Sequence, residues 1–197
     1  MHDLAEGVAR FQREVFPAKK GLFAHLGGHH APHTLFISCS DARVVPELIC
    51  ASEPGELFVI RTAGNLVPAH GPGFDGVTAS IEYAIAVLGV KNIVVCGHSA
   101  CGAMTALAQD HDLSGTPAVA GWLQHADASR AHTAAADDVD ALVRQNVRAQ
   151  LANLATHPCV ARALAHQTVT LHGWVYDIPT GSVGTVDSIA RPTALAT

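Results

Sequence analysis

Three short apolar runs constrain this chain more than any other feature: Thr34-Leu35-Phe36-Ile37-Ser38, Glu56-Leu57-Phe58-Val59-Ile60-Arg61 and Asn92-Ile93-Val94-Val95-Cys96. Each is too short for a helix and apolar enough to be buried on both faces, which is how parallel strands read. Helix-patterned sequence separates them. A short piece from Pro46 to Cys50 follows the first run, and a longer segment from about Val77 to Leu88 follows a loop rich in glycine and proline over 64–76. Strand, helix, strand, helix, strand with right-handed crossovers predicts an α/β fold with a mostly parallel central sheet and crossover helices.

The flanks add an arm and a hairpin. Leu4, Val8, Phe11 and Val15 share one face at helical spacing, so an amphipathic helix is expected that ends before Pro17. Being terminal, this N-terminal helical arm (1–26) packs either on its own domain or on a second subunit. Helices are expected around 118–133, 137–155 and 158–166, where alanine is frequent and glycine nearly absent. Alternation over 168–177, a turn at Pro179-Thr180-Gly181 and a return through 183–186 predict a C-terminal antiparallel hairpin strand. With 197 residues, 49% apolar and 15% charged, the chain suits one domain over 1–197, made of the arm, a central part over 34–105, and helices and hairpin over 106–197.

Several partners are excluded on the same grounds. The net charge is -5 and no basic run exceeds Lys19-Lys20, so nucleic acid is not an expected partner. No apolar stretch reaches the roughly 18 to 20 residues that span a bilayer, so no membrane association is expected. The start, Met1-His2-Asp3-Leu4-Ala5-Glu6, lacks the basic and apolar regions of a secretory signal. Five irregularly spaced cysteines then favour free thiols and metal ligands over a disulfide framework, and a cytoplasmic location.

Two of the strand-like runs break abruptly into reactive side chains. The first ends in Cys39-Ser40-Asp41-Ala42-Arg43, the third in Gly97-His98-Ser99-Ala100-Cys101-Gly102. Thiolate and imidazole are what zinc prefers, and Cys39, His98 and Cys101 would give three ligands with a fourth position open. A single buried cysteine is ordinarily a small hydrophobe, and Cys50, Cys96 and Cys159 are read that way. Three ligands at the C-terminal ends of neighbouring parallel strands are harder to dismiss, because open α/β sheets place their sites there. Two thiolates neutralise the dication, so such a zinc acidifies water less than one held by three neutral histidines would. Asp41 could compensate by accepting a hydrogen bond from the water, with Arg43 holding it in a bidentate pair. Asp41 could instead become the fourth ligand and close the site, or the pair could be purely structural. Gly71-Pro72-Gly73-Phe74-Asp75-Gly76 matches the dinucleotide fingerprint in letters only, because Pro72 removes a donor and no strand leads directly into it. His29, His30 and His33 read as a polar loop rather than a second metal site.

The paired motifs, with Glu53-Pro54-Gly55-Glu56-Leu57-Phe58-Val59-Ile60-Arg61, Gly64-Asn65-Leu66-Val67 and Ser80-Ile81-Glu82-Tyr83-Ala84 between them, resemble the β-class carbonic anhydrases. The resemblance is close over roughly 30–105 and returns around His172-Gly173-Trp174-Val175-Tyr176. It implies a carbonate dehydratase that hydrates CO2 reversibly to bicarbonate and a proton, with Zn2+ on Cys39, His98 and Cys101 and with Asp41 and Arg43 as a catalytic dyad. It also implies a homodimer or homotetramer with the helical arm lying across a partner. The substrate pocket would use Phe58, Ala63, Tyr83 and the backbone at Gly102, with His30 where plant-type members carry glutamine and Ala63 where they carry valine. A regulated subgroup binds bicarbonate at a second site through a Trp, an Arg and a Tyr. Arg61 and Tyr176 match it but Phe36 replaces the Trp, so an open site with Asp41 on Arg43 is expected. Rival readings are hydrolysis of COS or CS2 on the same scaffold, and a non-catalytic zinc- or bicarbonate-binding protein.

Overall fold

Among the described residues, five strands form one sheet in the order β2-β1-β3-β4-β5. The computed structural model describes residues 3–131 and 137–189. Strands β1 (Thr34–Cys39), β2 (Leu57–Thr62), β3 (Asn92–His98) and β4 (Thr170–Tyr176) run parallel, and β5 (Val183–Ile189) returns antiparallel along β4. The predicted α/β fold is therefore present, with each strand within two residues of its expected start. The expected return strand extends further than 183–186, to Ile189.

Helices follow the strands as the apolar pattern requires: α4 (Pro46–Ile49), α5 (Gly76–Glu82), α6 (Gly102–Ala108), α7 (Pro117–Leu123), α8 (Asp127–Ala131), α9 (Val139–Thr156) and α10 (Pro158–Ala165). The helix expected over 118–133 is broken by a tighter turn at Gln124–Ala126, and its last two positions lie outside the described residues. Asp75 caps α5 by accepting the Val77 and Thr78 amides, and Asp138 caps α9 by accepting that of Ala141. From α5 the chain continues through a wide turn, Tyr83–Val87, closed by Leu88 N–H on the Tyr83 carbonyl.

The main core lies between one sheet face and helices α5, α9 and α10. Leu35, Ile37, Ile93, Val95 and Leu171 from the sheet meet Val147, Leu151 and Leu154 of α9 and Val160 of α10. Each such side chain contributes about 1.5–3 kcal/mol. Close approach of α9 to β3 depends on Gly97, where a Cβ would stand 2.9 Å from Val147 Cγ2 and 3.0 Å from Val143 Cγ1. A second cluster around Leu66, Met104, Leu123 and Leu142 contains Cys39 and Cys101.

Residues Met1–Ala31 form a separate unit from Pro32–Thr197. The first unit departs from expectation, because its helix does not stop before Pro17. Helix α1 (Leu4–Arg10) widens into a turn over Phe11–Val15, and α2 (Phe16–Ala18) and α3 (Lys20–Leu26) follow. The wide turn restarts the hydrogen-bond ladder, so Pro17 falls in the first turn of a new segment, where its missing N–H breaks nothing. Phe11, Phe16 and Phe23 cluster with ring centroids 5.4 to 6.3 Å apart, while Leu4 and Val8 are exposed.

Candidate metal centre

Adjacent strands β1 and β3 end side by side, with Ser38 in register with Cys96. Cys39 therefore leaves the sheet at the level of Gly97, one position before His98. The chain then turns through Ala100, which adopts a left-handed φ of 52°, and Cys101 begins α6 as its N-cap. This turn brings Cys101 back beside His98. The ligand atoms of Cys39, His98 and Cys101 lie within 4.8 Å of one another, and all three residues are buried. Among the described residues no other set of three or more such side chains gathers this closely.

The chemistry of this donor set fits a dication. His98 Nδ1 lies 2.9 Å from the Ser99 carbonyl, which can only accept, so Nδ1 carries the proton and Nε2 presents a lone pair. That Nε2 is buried without a hydrogen-bond partner. A buried acceptor left orphaned is costly unless something electropositive meets it. The thiols agree. Hydrogen bonding from the Cys101 thiol, opposed by burial and helped by the Asp41 and Gly64 amides, lowers Cys39 to about 4. Cys101 moves the other way because it shares its proton with the neighbouring thiolate and is buried.

Asp41 stands beside the ligands without touching them. Its Oδ2 lies 3.9 Å from His98 Nε2. Arg43 grips it twice, Nε on Oδ1 at 2.9 Å and Nη2 on Oδ2 at 2.6 Å, and the Arg43 amide also donates to Oδ1 at 2.9 Å. The Arg43 guanidinium holds this carboxyl well below the usual carboxylate range against the opposing effect of burial. Arg43 Nη2 also donates to the Ala100 carbonyl at 3.1 Å, joining the two motif loops. Arg61 had no place in the centre as read from the sequence, yet it donates to the carbonyls of Cys39 at 3.1 Å and Asp41 at 2.6 Å. An arginine next to last in a short apolar strand is the signal that could have found it.

The residues assigned to a substrate pocket are dispersed. Gly102 is exposed with nothing within 4 Å of a Cβ placed on it, and Ala63 precedes Gly64, whose amide donates to Cys39 Sγ at 3.4 Å. Phe58 pairs with Leu35, four positions before Thr62 reaches Cys39. At about 3.3 Å per residue it lies about 13 Å back along the sheet from the thiols. Tyr83 accompanies it, with ring centroids 6.0 Å apart. His30 is exposed and belongs to the first unit.

Comparison with known proteins points the same way. The family model described as carbonic anhydrase matches residues 34–183. A carbonic anhydrase of Pseudomonas aeruginosa is 58% identical over 97% of this chain and 90% of its own length. Carbonic anhydrase 1 of Escherichia coli O157:H7 is 51% identical over the same shares of both chains. Among solved structures, the β-carbonic anhydrase CcaA superposes with a TM-score of 0.88 at 39% identity, over 95% of this chain and 98% of that one. A tetrameric β-carbonic anhydrase of Sordaria macrospora follows at 0.80 and 31%, over 95% of this chain and 100% of that one. A parallel sheet whose adjacent strand ends gather two thiols and an imidazole, read with these likenesses, makes this chain a member of the β-class carbonic anhydrases.

Proposed function

We propose that the protein hydrates CO2 reversibly to bicarbonate and a proton, with zinc held by Cys39, His98 and Cys101. The observation that carries this reading is the orphaned Nε2 of His98 facing two thiols, with an arginine-held carboxylate 3.9 Å away. When bound, zinc supplies Lewis acidity that makes water a nucleophile near neutral pH, an effect for which carbonic anhydrases are themselves the standard illustration. Asp41 stays ionised and acceptor-only, so its Oδ2 orients the reacting water by taking a hydrogen bond from it. Arg43 fixes Asp41 through both carboxylate oxygens and keeps it off the ligand position. The open space at Gly102 leaves its backbone accessible to a bicarbonate oxygen.

Stopped-flow CO2 hydration tests this reading. Asp41→Asn and Arg43→Ala are each expected to lower kcat/KM by about 100-fold or more. Equal and negligible rates in wild type and both variants would overturn it.

The same reading includes an oligomer in the cytoplasm. The Sordaria relatives are described as tetrameric. Phe58, assigned to the pocket by resemblance, lies about 13 Å along the strand from the thiols of its own chain, and Tyr83, assigned likewise, packs beside it. Both statements hold together when a second copy supplies these rings to the pocket. Five free cysteines suit a reducing compartment, and among the described residues no helix is long and apolar enough to cross a membrane.

A further inference from the structure

Cys39 receives a hydrogen bond from a peptide group that is held at its other end by a tryptophan. Gly64 N–H donates to Cys39 Sγ at 3.4 Å. The carbonyl of that same planar peptide unit belongs to Ala63, and the indole Nε1–H of Trp122 donates to it at 2.9 Å. Indole, peptide and thiol thus form one chain of hydrogen bonds, reaching from α7 to a ligand atom.

The geometry is fixed on every side. Gly64 has a left-handed φ of 72°, and a Cβ there would stand 3.0 Å from Ala103 Cβ, so only glycine fits. Its own carbonyl accepts Asn146 Nδ2 at 2.9 Å. The Trp122 ring packs against the cluster that contains Cys39 and Cys101, and the His125 ring stands edge-on to it at 5.0 Å. None of these groups belongs to the two sequence motifs.

We propose that Trp122 is a positioning residue for the metal centre, acting on Cys39 through the Ala63–Gly64 peptide. A donor on the carbonyl polarises the amide and makes its N–H a stronger donor, because hydrogen bonds in series reinforce one another. The stronger donor draws electron density from the Cys39 sulfur and fixes where that sulfur points. The inference rests on the assignment of Cys39 as a zinc ligand, and it deepens that assignment by giving the sulfur a tuned outer partner.

The test uses the full chain loaded with Co2+ in place of zinc. Trp122→Phe keeps most of the ring and removes the N–H. Its sulfur becomes more electron-rich, so the sulfur-to-cobalt charge-transfer band is expected to move to longer wavelength. In the metal-free protein, the Gly64 amide proton is expected to move upfield in the 15N-edited spectrum. A tryptophan that merely anchors α7 would lower thermal stability and leave band and amide shift in place. Incorporating 5-fluorotryptophan into a Trp174→Phe background strengthens the indole donor without altering its shape, and is expected to shift the band to shorter wavelength; this arm holds even if Trp122→Phe fails to fold. An unmoved band and an unmoved Gly64 resonance would overturn the proposal while leaving the zinc assignment standing. Absence of any charge-transfer band in the wild type would overturn the zinc assignment and this inference with it.

Discussion

Asn146 lies fully buried in the middle of α9, with both ends of its amide engaged. Its Nδ2 donates to the Gly64 carbonyl, and its Oδ1 accepts from Gln150 Nε2 at 2.9 Å and Ser129 Oγ at 3.3 Å. Asn146→Leu would leave the Gly64 carbonyl and one Gln150 donor buried and unmet, so a loss of about 2–4 kcal/mol is expected in urea denaturation. Burial pushes the Cys96 thiol up to about 12. In the folded protein at pH 8, Cys96 should escape iodoacetamide, and mass spectrometry of the labelled chain checks this. Burial lowers His172 from its ordinary 6.5. The unfolded chain then takes the proton first, so stability held above pH 6.5 is lost as pH falls below that value. Denaturation midpoints across pH 7.5 to about 5 should show a shallower decline in His172→Gln than in wild type. The residues that gather at the centre were legible because metal ligation restricts both residue type and spacing. Trp122 and Asn146 were not, because their bonds to Ala63 and Gly64 cross 59 and 82 positions, and only packing decides such pairs.

Helix α9 carries two stripes side by side, and they explain both what its sequence conveyed and what it hid. Val143, Val147, Leu151 and Leu154 form the apolar stripe expected of a core helix. Beside it Asn146, Gln150, Asn153 and, just past the helix end, His157 form a polar one, which grips the loop after β2. Gln150 Oε1 accepts the Val67 amide at 2.8 Å, Asn153 Nδ2 donates to the Val67 carbonyl at 2.9 Å, and His157 Nε2 donates to the Pro68 carbonyl at 2.9 Å. Polar residues at helical spacing read as a solvated face, so their burial could not be seen in the sequence. Strands were easier, since a short apolar run between turn residues has few alternatives. The proline at position 17 misled for a physical reason, because a widened turn moved it to where a helix tolerates it. Gly97 offers the check at this scale. Gly97→Ala drives a methyl into Val147 and Val143 of α9, and a loss of about 1–3 kcal/mol in denaturation is expected.

At the scale of the assembly, Phe58 and Tyr83 distinguish a pocket made within one chain from one made between copies. A Cys39→Ala chain and a Tyr83→Ala chain, each inactive alone, should regain activity when refolded together. Random pairing in a dimer leaves about a quarter of the sites intact, and recovery of that order in CO2 hydration is the expected result. For the zinc form proposed above, chelation should lower the melting temperature, by an amount that grows with the free zinc concentration used in the reference sample.

The centre also sets an order in time. Cys39 ends β1, His98 ends β3, Cys101 caps α6, and the side chains that pin the loop after β2 reach as far as His157. A chain emerging from the ribosome has the first sulfur long before it has the second. Even with all three ligands present, the loop beside Cys39 stays unpinned until α9 has been made and docked. Contacts so distant along the chain form late, since loop closure precedes any gain from them. Metal capture should therefore be among the last events of maturation, and a cell short of zinc would accumulate folded, empty protein rather than stalled nascent chains.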